Sequence, residues 1–569
     1  MSKHTAELLE KHFDTAFAAP DGIKKLRELI LTLAMQGKLV PQDPNNQPAS
    51  KLLEEIEVEK QRLVKEGAIK KAKPLPPIPE NAKAYSLPQG WEWVRIGAIG
   101  NIFNGNSINA GEKESKYAGV EGLPYIATKD VGYGLDALDY DNGIYIPPGE
   151  EKFRIAREGA VLICAEGGSA GKKCGLTDRD ICFGNKLFAN ELYGQIPSRL
   201  ILYIYLSPVF RASFMSAMTG IIGGVSIAKF VEIPVPLPPL EEQHRIASKI
   251  DELMARCDEL EELHATRQEA RLTVHAAALK RLLNTAEFIQ YQRAQTFLAE
   301  HFGELYSVKE NVTELRKAVL QLAVAGKLTS FSKDDRAVSE LLQRVKGERL
   351  HLKLCNTPLE AIERNKLSYT IPDHWSILPL GDILVFGPAN GYSPRAVDYE
   401  TDVKSLTLSA TTSGTFRGEC FKFISEKIPA DSELWLQEGD ILVQRGNALQ
   451  YVGVPAIYRG KPNAFIYPDL MMKLRVSAAL NTEYVYFVMS SPPSRDFLRG
   501  RASGTSGTMP KINQRTLSSL PIPIPPLEEQ YRIVKKIKEL MALCDSLEQQ
   551  IDSANRKRSQ LLSAVMAQV

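Results

Sequence analysis

Residues 166–173 read Glu-Gly-Gly-Ser-Ala-Gly-Lys-Lys, a Gly-rich stretch ending in two lysines, which invites a phosphate-binding reading. A nucleotide loop needs glycine four residues ahead of its Gly-Lys pair and a hydroxyl after it, so that backbone N–H groups cradle phosphate and the hydroxyl holds magnesium. Glu166 occupies the first of these positions and would repel phosphate, and Lys173 replaces the hydroxyl. What remains is a Gly-rich surface loop with a lysine pair.

Other catalytic constellations fail in similar ways. Of the eight histidines, His4, His12, His244, His264, His275, His301 and His351 fall in segments with helical spacing, and His374 opens a globular segment. None has ligand spacing to a partner, so no metal site is expected. No Gly-rich cofactor loop follows a strand, and no Asn/Asp-Pro-Pro-aromatic tetrapeptide is present. Pro468-Asp469 followed by Lys473 lacks the second carboxylate of a nuclease cluster and reads as a turn before a buried strand. Catalysis by this chain alone is therefore not expected.

Charge placement is more informative. The chain has 569 residues with 70 Lys and Arg against 68 Asp and Glu, a net charge of +2. No overall basic pull toward nucleic acid exists, so any DNA binding must use locally basic faces. From Ile441 to Leu520 ten basic residues face three acids (Asp469, Glu483, Asp496), and from Glu151 to Phe230 ten face six. The expected DNA-facing residues are Arg154, Lys172, Lys173, Arg179, Lys186 and Lys229 in the first segment. In the second they are Arg445, Asn447, Arg459, Lys461, Arg499, Arg501, Lys511 and Arg515. Arg445 and Asn447 suit guanine and adenine edges respectively. Residues 499–515 combine four basic side chains with flexible Gly, Ser and Thr.

The elements that must position these residues occur twice. PPLEEQHRIASKIDELMARCD (238–258) and PPLEEQYRIVKKIKELMALCD (525–545) agree at 16 of 21 positions, and LRELILTLAMQGKL (26–39) pairs with LRKAVLQLAVAGKL (315–328). Fainter echoes are LPQGWEWVRIG (87–97) with IPDHWSILPLG (371–381), and EGAVLI (158–163) with EGDILV (438–443). Helices are expected over 23–37, 49–70, 312–326 and 337–354. Short strands are expected at Leu123–Thr128, Gly159–Cys164, Ile441–Val443 and Ala464–Tyr467. The Pro-rich stretches 73–80, 233–239 and 521–526 read as extended connections.

After each of the latter two stretches a heptad seam begins, through Ile246, Ile250, Leu253, Cys257 and Leu260, and through Ile533, Ile537, Leu540, Cys544 and Leu547. The expected fold is α+β: two globular α/β domains separated by long helices that pair as an antiparallel coiled coil about a pseudo-twofold axis. The boundaries are a helical region over 1–72, a globular domain over 73–239, a central helical region over 240–358, a second globular domain over 359–526, and a final helix over 527–569. Seven scattered cysteines without a CxxC pair, no signal-like N-terminus and no long apolar run suggest a cytoplasmic protein with reduced thiols.

With the duplication and the PPLEEQxRI helix starts in view, the whole chain resembles the specificity (S) subunit of a type I restriction–modification enzyme. In such proteins the phrase at 233–246 and 522–533 marks the exit from a target recognition domain into its helix. The resemblance implies that each domain reads one half of a bipartite double-stranded DNA target, while the helices set the spacing and dock methyltransferase (M) subunits. It places S-adenosylmethionine, ATP and magnesium in the methyltransferase and restriction (R) partners, with no cofactor on this chain. The rival reading is a duplicated coiled-coil adaptor whose globular domains bind protein.

Overall fold

The computed structural model describes residues 10–11, 13–219, 223–285, 287–354, 362–503 and 509–567. His4, His12, Cys355 and the Gly-Thr-Ser stretch at 504–508 lie outside them. The chain divides into two compact units, Met1–Thr266 with Ala554–Val569, and Arg267–Ser553. The division cuts through the two long helices, not at the Pro-rich stretches.

In the first unit, α1 (Gly22–Met35) and α2 (Ala49–Lys65) precede a two-stranded antiparallel ribbon of β1 (Glu92–Arg95) and β6 (Pro234–Leu237). Between those strands lies a four-stranded antiparallel sheet. Its order is β2 (Gly100–Asn104), β5 (Leu187–Leu192), β3 (Val161–Cys164), β4 (Cys174–Leu176). A smaller sheet, made from Leu123–Ile126, Tyr145–Ile146, Ile155–Ala156 and Ile181–Phe183, packs beside it. Helices α3 (Ser198–Leu206) and α4 (Pro208–Ala217) cover the main sheet, and α5 (Leu240–Asn284) begins directly after the ribbon.

The second unit repeats the plan. After α6 (Phe288–Glu300), α7 (Lys309–Val324) and α8 (Val338–His351), the ribbon pairs β7 (Ser376–Pro379) with β12 (Pro521–Ile524). The main sheet runs β8 (Leu384–Asn390), β11 (Met471–Val476), β9 (Ile441–Gln444), β10 (Pro455–Ile457), the same order as in the first unit. Helices α9 (Thr482–Ser490) and α10 (Pro492–Arg499) follow, then α11 (Leu527–Met566).

Two sequence expectations change here. The Pro-rich stretches before α5 and α11 are strands, not loose connections. Their prolines alternate (Pro234 and Pro236, Pro521 and Pro523), and in an antiparallel ladder only every second residue turns its N–H to the partner strand. Ala464–Tyr467 is not a strand but makes a single bridge through Ile466 to Ser405. The ladder starts beyond Pro468, at Met471.

The duplicated motifs have duplicated physical roles. Gly37 and Gly326 end α1 and α7 at φ +66° and +67°, the left-handed conformation that glycine adopts without strain. The lysine after each donates its backbone N–H five residues back, Lys38 to Leu33 at 2.8 Å and Lys327 to Leu322 at 2.9 Å, closing the helix end. A Cβ at either glycine would lie 2.4 Å from a ring carbon of Pro88 or Pro372, the proline of the following LPxxW or IPxxW phrase.

At each PPLEEQ start, the buried second glutamate accepts the ribbon tryptophan's indole N–H: Trp91 to Glu242 at 3.0 Å, Trp375 to Glu529 at 3.1 Å. Gln42 also donates to Glu242 at 2.6 Å, and burial raises that carboxyl above its ordinary range. The glutamine reaches back to a proline carbonyl, Gln243 to Pro238 at 2.8 Å and Gln530 to Pro525 at 3.0 Å. Acids in the first turn also suit the helix dipole. Farther along each long helix, Arg27 of α1 grips Asp258 and Glu261 of α5 at 2.6 and 2.7 Å, and Arg316 of α7 grips Asp545 and Glu548 of α11 at 2.6 and 3.3 Å.

The heptad seam is therefore anchored first on the unit from which each helix leaves. Ile246, Ile250 and Cys257 are buried in the first unit's core with Trp91 and Val94, with Leu253 packed at its edge. Ile533 and Ile537 enter the second unit's core with Trp375, with Leu540 beside them. Cys544 and Ile551 join Ala278, Leu279 and Leu282 from the end of α5 in a separate helical cluster within the second unit, against which Leu547 packs. Leu260 is half-buried. Among the described residues no single helix is long and apolar enough to cross a membrane, and the six described cysteines are unbridged.

Candidate nucleic-acid interface

Strand register decides which loops meet. In the first sheet Asn104 pairs with Phe188 and Cys164 with Leu187, so β2 and β3 end where β5 begins. In the second, Asn390 pairs with Met472 and Gln444 with Met471, giving the same edge. Each edge gathers the loop after the first sheet strand, the loop after the central strand, and the turn before the next. One more segment is tied to each edge by an isolated bridge: Glu166 bridges Gly224 in the first unit, and Gly446 bridges Lys511 in the second.

A motif not picked out from the sequence organises both edges. Asn104-Gly105-Asn106-Ser107 and Asn390-Gly391-Tyr392-Ser393 begin at the last residues of β2 and β8. A Cβ on Gly105 would lie 1.9 Å from the Phe183 carbonyl oxygen, and one on Gly391 would lie 2.1 Å from that of Tyr467. The next residue's N–H donates to the same carbonyl, Asn106 at 2.8 Å and Tyr392 at 2.9 Å. A comparison of the two halves for the pattern N-G-x-S would have found it.

The first edge collects four of the six expected residues. Arg154 donates to the Asn104 carbonyl and side chain at 3.1 and 3.0 Å, fixing it to the N-G-x-S loop. Lys173 is held by the Thr128 carbonyl at 3.1 Å and lies 5.1 Å from the ring centre of Tyr133, an exposed tyrosine that sequence reasoning missed. Lys172 is exposed and donates to Gly168 at 3.1 Å, and Lys186 stands 4.0 Å from Glu166. Arg179 lies at the opposite end of the sheet, because Val161 pairs with Leu176 there. It stacks on Tyr140 at 4.4 Å and pairs with Asp178 at 2.8 Å. Lys229 sits exposed on the short helix Ile227–Phe230, capped by Ser226.

At the second edge, the loop after β9 is stitched from several sides. Gln444 is buried and donates to Leu408, Thr411 and Thr412 at 3.0, 3.1 and 3.1 Å. Asn447 donates its amide to Gln444 at 2.7 Å, and Arg445 reaches the Asp469 carbonyl at 3.4 Å. From α10, Arg495 and Arg499 both donate to the Gln450 carbonyl, at 3.0 and 2.9 Å. Burial pushes the Arg495 guanidinium down to about 10, helped by neighbouring Arg499. Lys511 pairs its backbone with Ser503, and Ile512 donates to the Arg445 carbonyl at 2.9 Å. Arg501 stacks on Phe497 at 3.7 Å and lines, with Arg515 and Asp496, an open groove of about 840 Å³.

Several basic residues counted from sequence hold other parts of the unit. Arg475 binds buried Asp440 at 2.8 Å, and Lys473, itself buried, stands 3.9 Å from Asp440 and donates to the Trp435 carbonyl at 2.9 Å. Arg459 shares Glu483 with Lys538 of α11, and Lys461 is exposed on the turn after Tyr458. Because Ile441 pairs with Ile457, Arg459 and Lys461 lie at the sheet end opposite the loop edge. The excess of basic over acidic residues in 441–520 thus overstates the charge at the edge. Among the described residues no group of His, Cys, Asp and Glu could hold a metal ion.

Comparison with known proteins adds an independent line. A family model described as the type I restriction modification DNA specificity domain matches twice, over residues 88–269 and 372–554. The chain is 31% identical over 560 residues to the type I restriction enzyme EcoAI specificity subunit of Escherichia coli, covering 96% of this chain and 93% of that protein. It is 29% identical over 564 residues to the EcoEI specificity subunit of the same organism, with the same two shares. A solved HsdS subunit from Thermoanaerobacter tengcongensis is 16% identical, with a TM-score of 0.41 over 85% of this chain and 99% of that one.

Proposed function

The chain belongs to the type I restriction–modification DNA specificity family, and from that premise we propose that the loop edge of each main sheet reads one half of a bipartite DNA target. It is the sequence-recognising, non-catalytic member of such a system. The observation that carries the division is the doubled edge: one strand order and one N-G-x-S anchor, with different side chains presented in each copy. In this reading Arg154, Lys172, Lys173 and Lys186 serve the first half-site, and Arg445, Asn447, Arg499, Arg501 and Lys511 the second. Some of these side chains hold phosphates, while others, Arg445 and Asn447 among them, meet base edges. Arg179, Arg459 and Lys461 take no base contact; Lys229 and Arg515 lie beside the edge and contribute charge.

The remaining parts follow from the same premise. The long helices pair as an antiparallel coiled coil, set the spacing of the half-sites near one helical turn, about 34–36 Å, or a multiple, and dock methyltransferase subunits. Restriction subunits join that assembly. S-adenosylmethionine, ATP and magnesium belong to those partners, and the complex works in the cytoplasm.

Methylated-motif sequencing tests the division. Host DNA is compared for the unaltered chain, for a triple Arg154→Gln, Lys172→Gln, Lys186→Gln variant, and for Arg445→Gln. The first variant should degrade one half of the motif only, and Arg445→Gln the other only. Equal loss in both halves from either variant refutes the division.

A further inference from the structure

The tip of the loop after β9, Ala448-Leu449-Gln450, is held in an unusual way. Its backbone is closed by the Tyr451 N–H on the Ala448 carbonyl at 2.8 Å, and the Gln450 carbonyl takes both Arg495 and Arg499. Arg495 is 7% exposed, and its other terminal nitrogen, Nη1, is buried without a hydrogen-bond partner. A buried guanidinium with an unmet donor is costly, and the bond to the Gln450 carbonyl recovers part of that cost. Yet the side chains at the tip project freely. Leu449 is 52% exposed, and the exposed Gln450 amide has no partner among the described residues.

One exposed leucine is ordinary on a protein surface. An apolar side chain beside a free carboxamide, on a backbone held by two arginines and placed at the reading edge, has a defined complement in the major groove. A carboxamide can donate to adenine N7 and accept from adenine N6, and an apolar group meets the thymine 5-methyl. The corresponding tip in the first unit, Gly168-Ser169-Ala170, has no carboxamide, and its one apolar side chain, Ala170, is buried. Resting on the DNA-reading assignment above, we propose that Leu449 and Gln450 read A·T pairing in the second half-site. Gln450 engages adenine N6 and N7, and Leu449 engages the thymine 5-methyl group.

The test uses the full chain with its methyltransferase partner and duplexes carrying the mapped motif. Each second-half thymine is replaced in turn by deoxyuridine, and each adenine by 7-deazaadenine. One deoxyuridine duplex should bind about fourfold more weakly, the equivalent of ~0.8 kcal/mol for one buried methyl, and the Leu449→Ala variant should bind thymine and uracil duplexes equally. One 7-deazaadenine duplex should bind about tenfold more weakly, and Gln450→Ala should remove that difference. Unchanged affinity across all the analogue duplexes, or a second half-site without an A·T pair, overturns the proposal. Absence of any sequence preference in the unaltered complex overturns the DNA-reading assignment beneath it.

Discussion

Removing Glu529 tests whether the start of α11 is locked to its recognition domain. The carboxylate is 1% exposed and receives Trp375 at 3.1 Å, His374 at 3.0 Å and Thr329 at 3.4 Å. Glu529→Ala leaves the indole N–H of Trp375, itself 1% exposed, without an acceptor. An orphaned buried donor costs about 1–3 kcal/mol, and relief of the carboxylate's own desolvation offsets part of the loss of the other two bonds. We expect a net destabilisation of about 2 kcal/mol. Trp375→Phe, which removes the donor, should cost about as much, through lost packing and a carboxylate short of one partner. Once either group is gone the other is easier to remove, so the double variant should fall short of the sum by at least ~1 kcal/mol. Urea unfolding with tryptophan fluorescence measures all four corners of the cycle. Additivity within ~0.5 kcal/mol would refute the lock, because independent sites add to that precision. Glu529→Ala should also weaken reading of the second half-site alone.

Two further predictions concern the helical cluster and the reading edges. His275 is fully buried, with Nε2 3.1 Å from the Tyr306 hydroxyl and Nδ1 without a partner, and burial lowers its pKa against the opposing pull of Glu314. A depressed folded pKa means that stability present above the unfolded value of about 6.5 is lost as pH falls below it. Calorimetry at pH 7 and pH 5 should therefore show a smaller acid loss of Tm for His275→Leu than for the unaltered chain. At the edges, Gly105→Ala and Gly391→Ala would drive a methyl group into a carbonyl oxygen. Each should weaken binding to its own half-site at least tenfold while thermal melting of the other unit holds, as measured by binding to duplexes scrambled in one half.

Much of the architecture was legible because it is written locally and written twice. The helix ends at Gly37 and Gly326, the indole–carboxylate pairs of Trp91 with Glu242 and Trp375 with Glu529, and the Arg27 and Arg316 grips all belong to matched phrases. The seam of α5 and α11 was legible as periodicity, but not its partner. Periodicity says that a face is buried, whereas Ile246 and Ile533 take their partners from the domain each helix has just left. The Pro-rich strands were missed because proline argues against pairing until the alternation is matched to a neighbouring strand.

The sequence by itself determined the duplication, the helix starts and stops, the family and the absence of a recognisable catalytic motif, since each depends on residue types at short, fixed spacing. Only the tertiary structure decided where each basic charge sits and what it is paired with. Arg475 and Lys473 look inward to Asp440, Arg459 is tied to Glu483, Arg495 is turned onto a loop carbonyl, and Arg179 is carried to the far end of its sheet. Register and burial are set by residues tens of positions apart, and a count along the chain weighs every lysine and arginine alike.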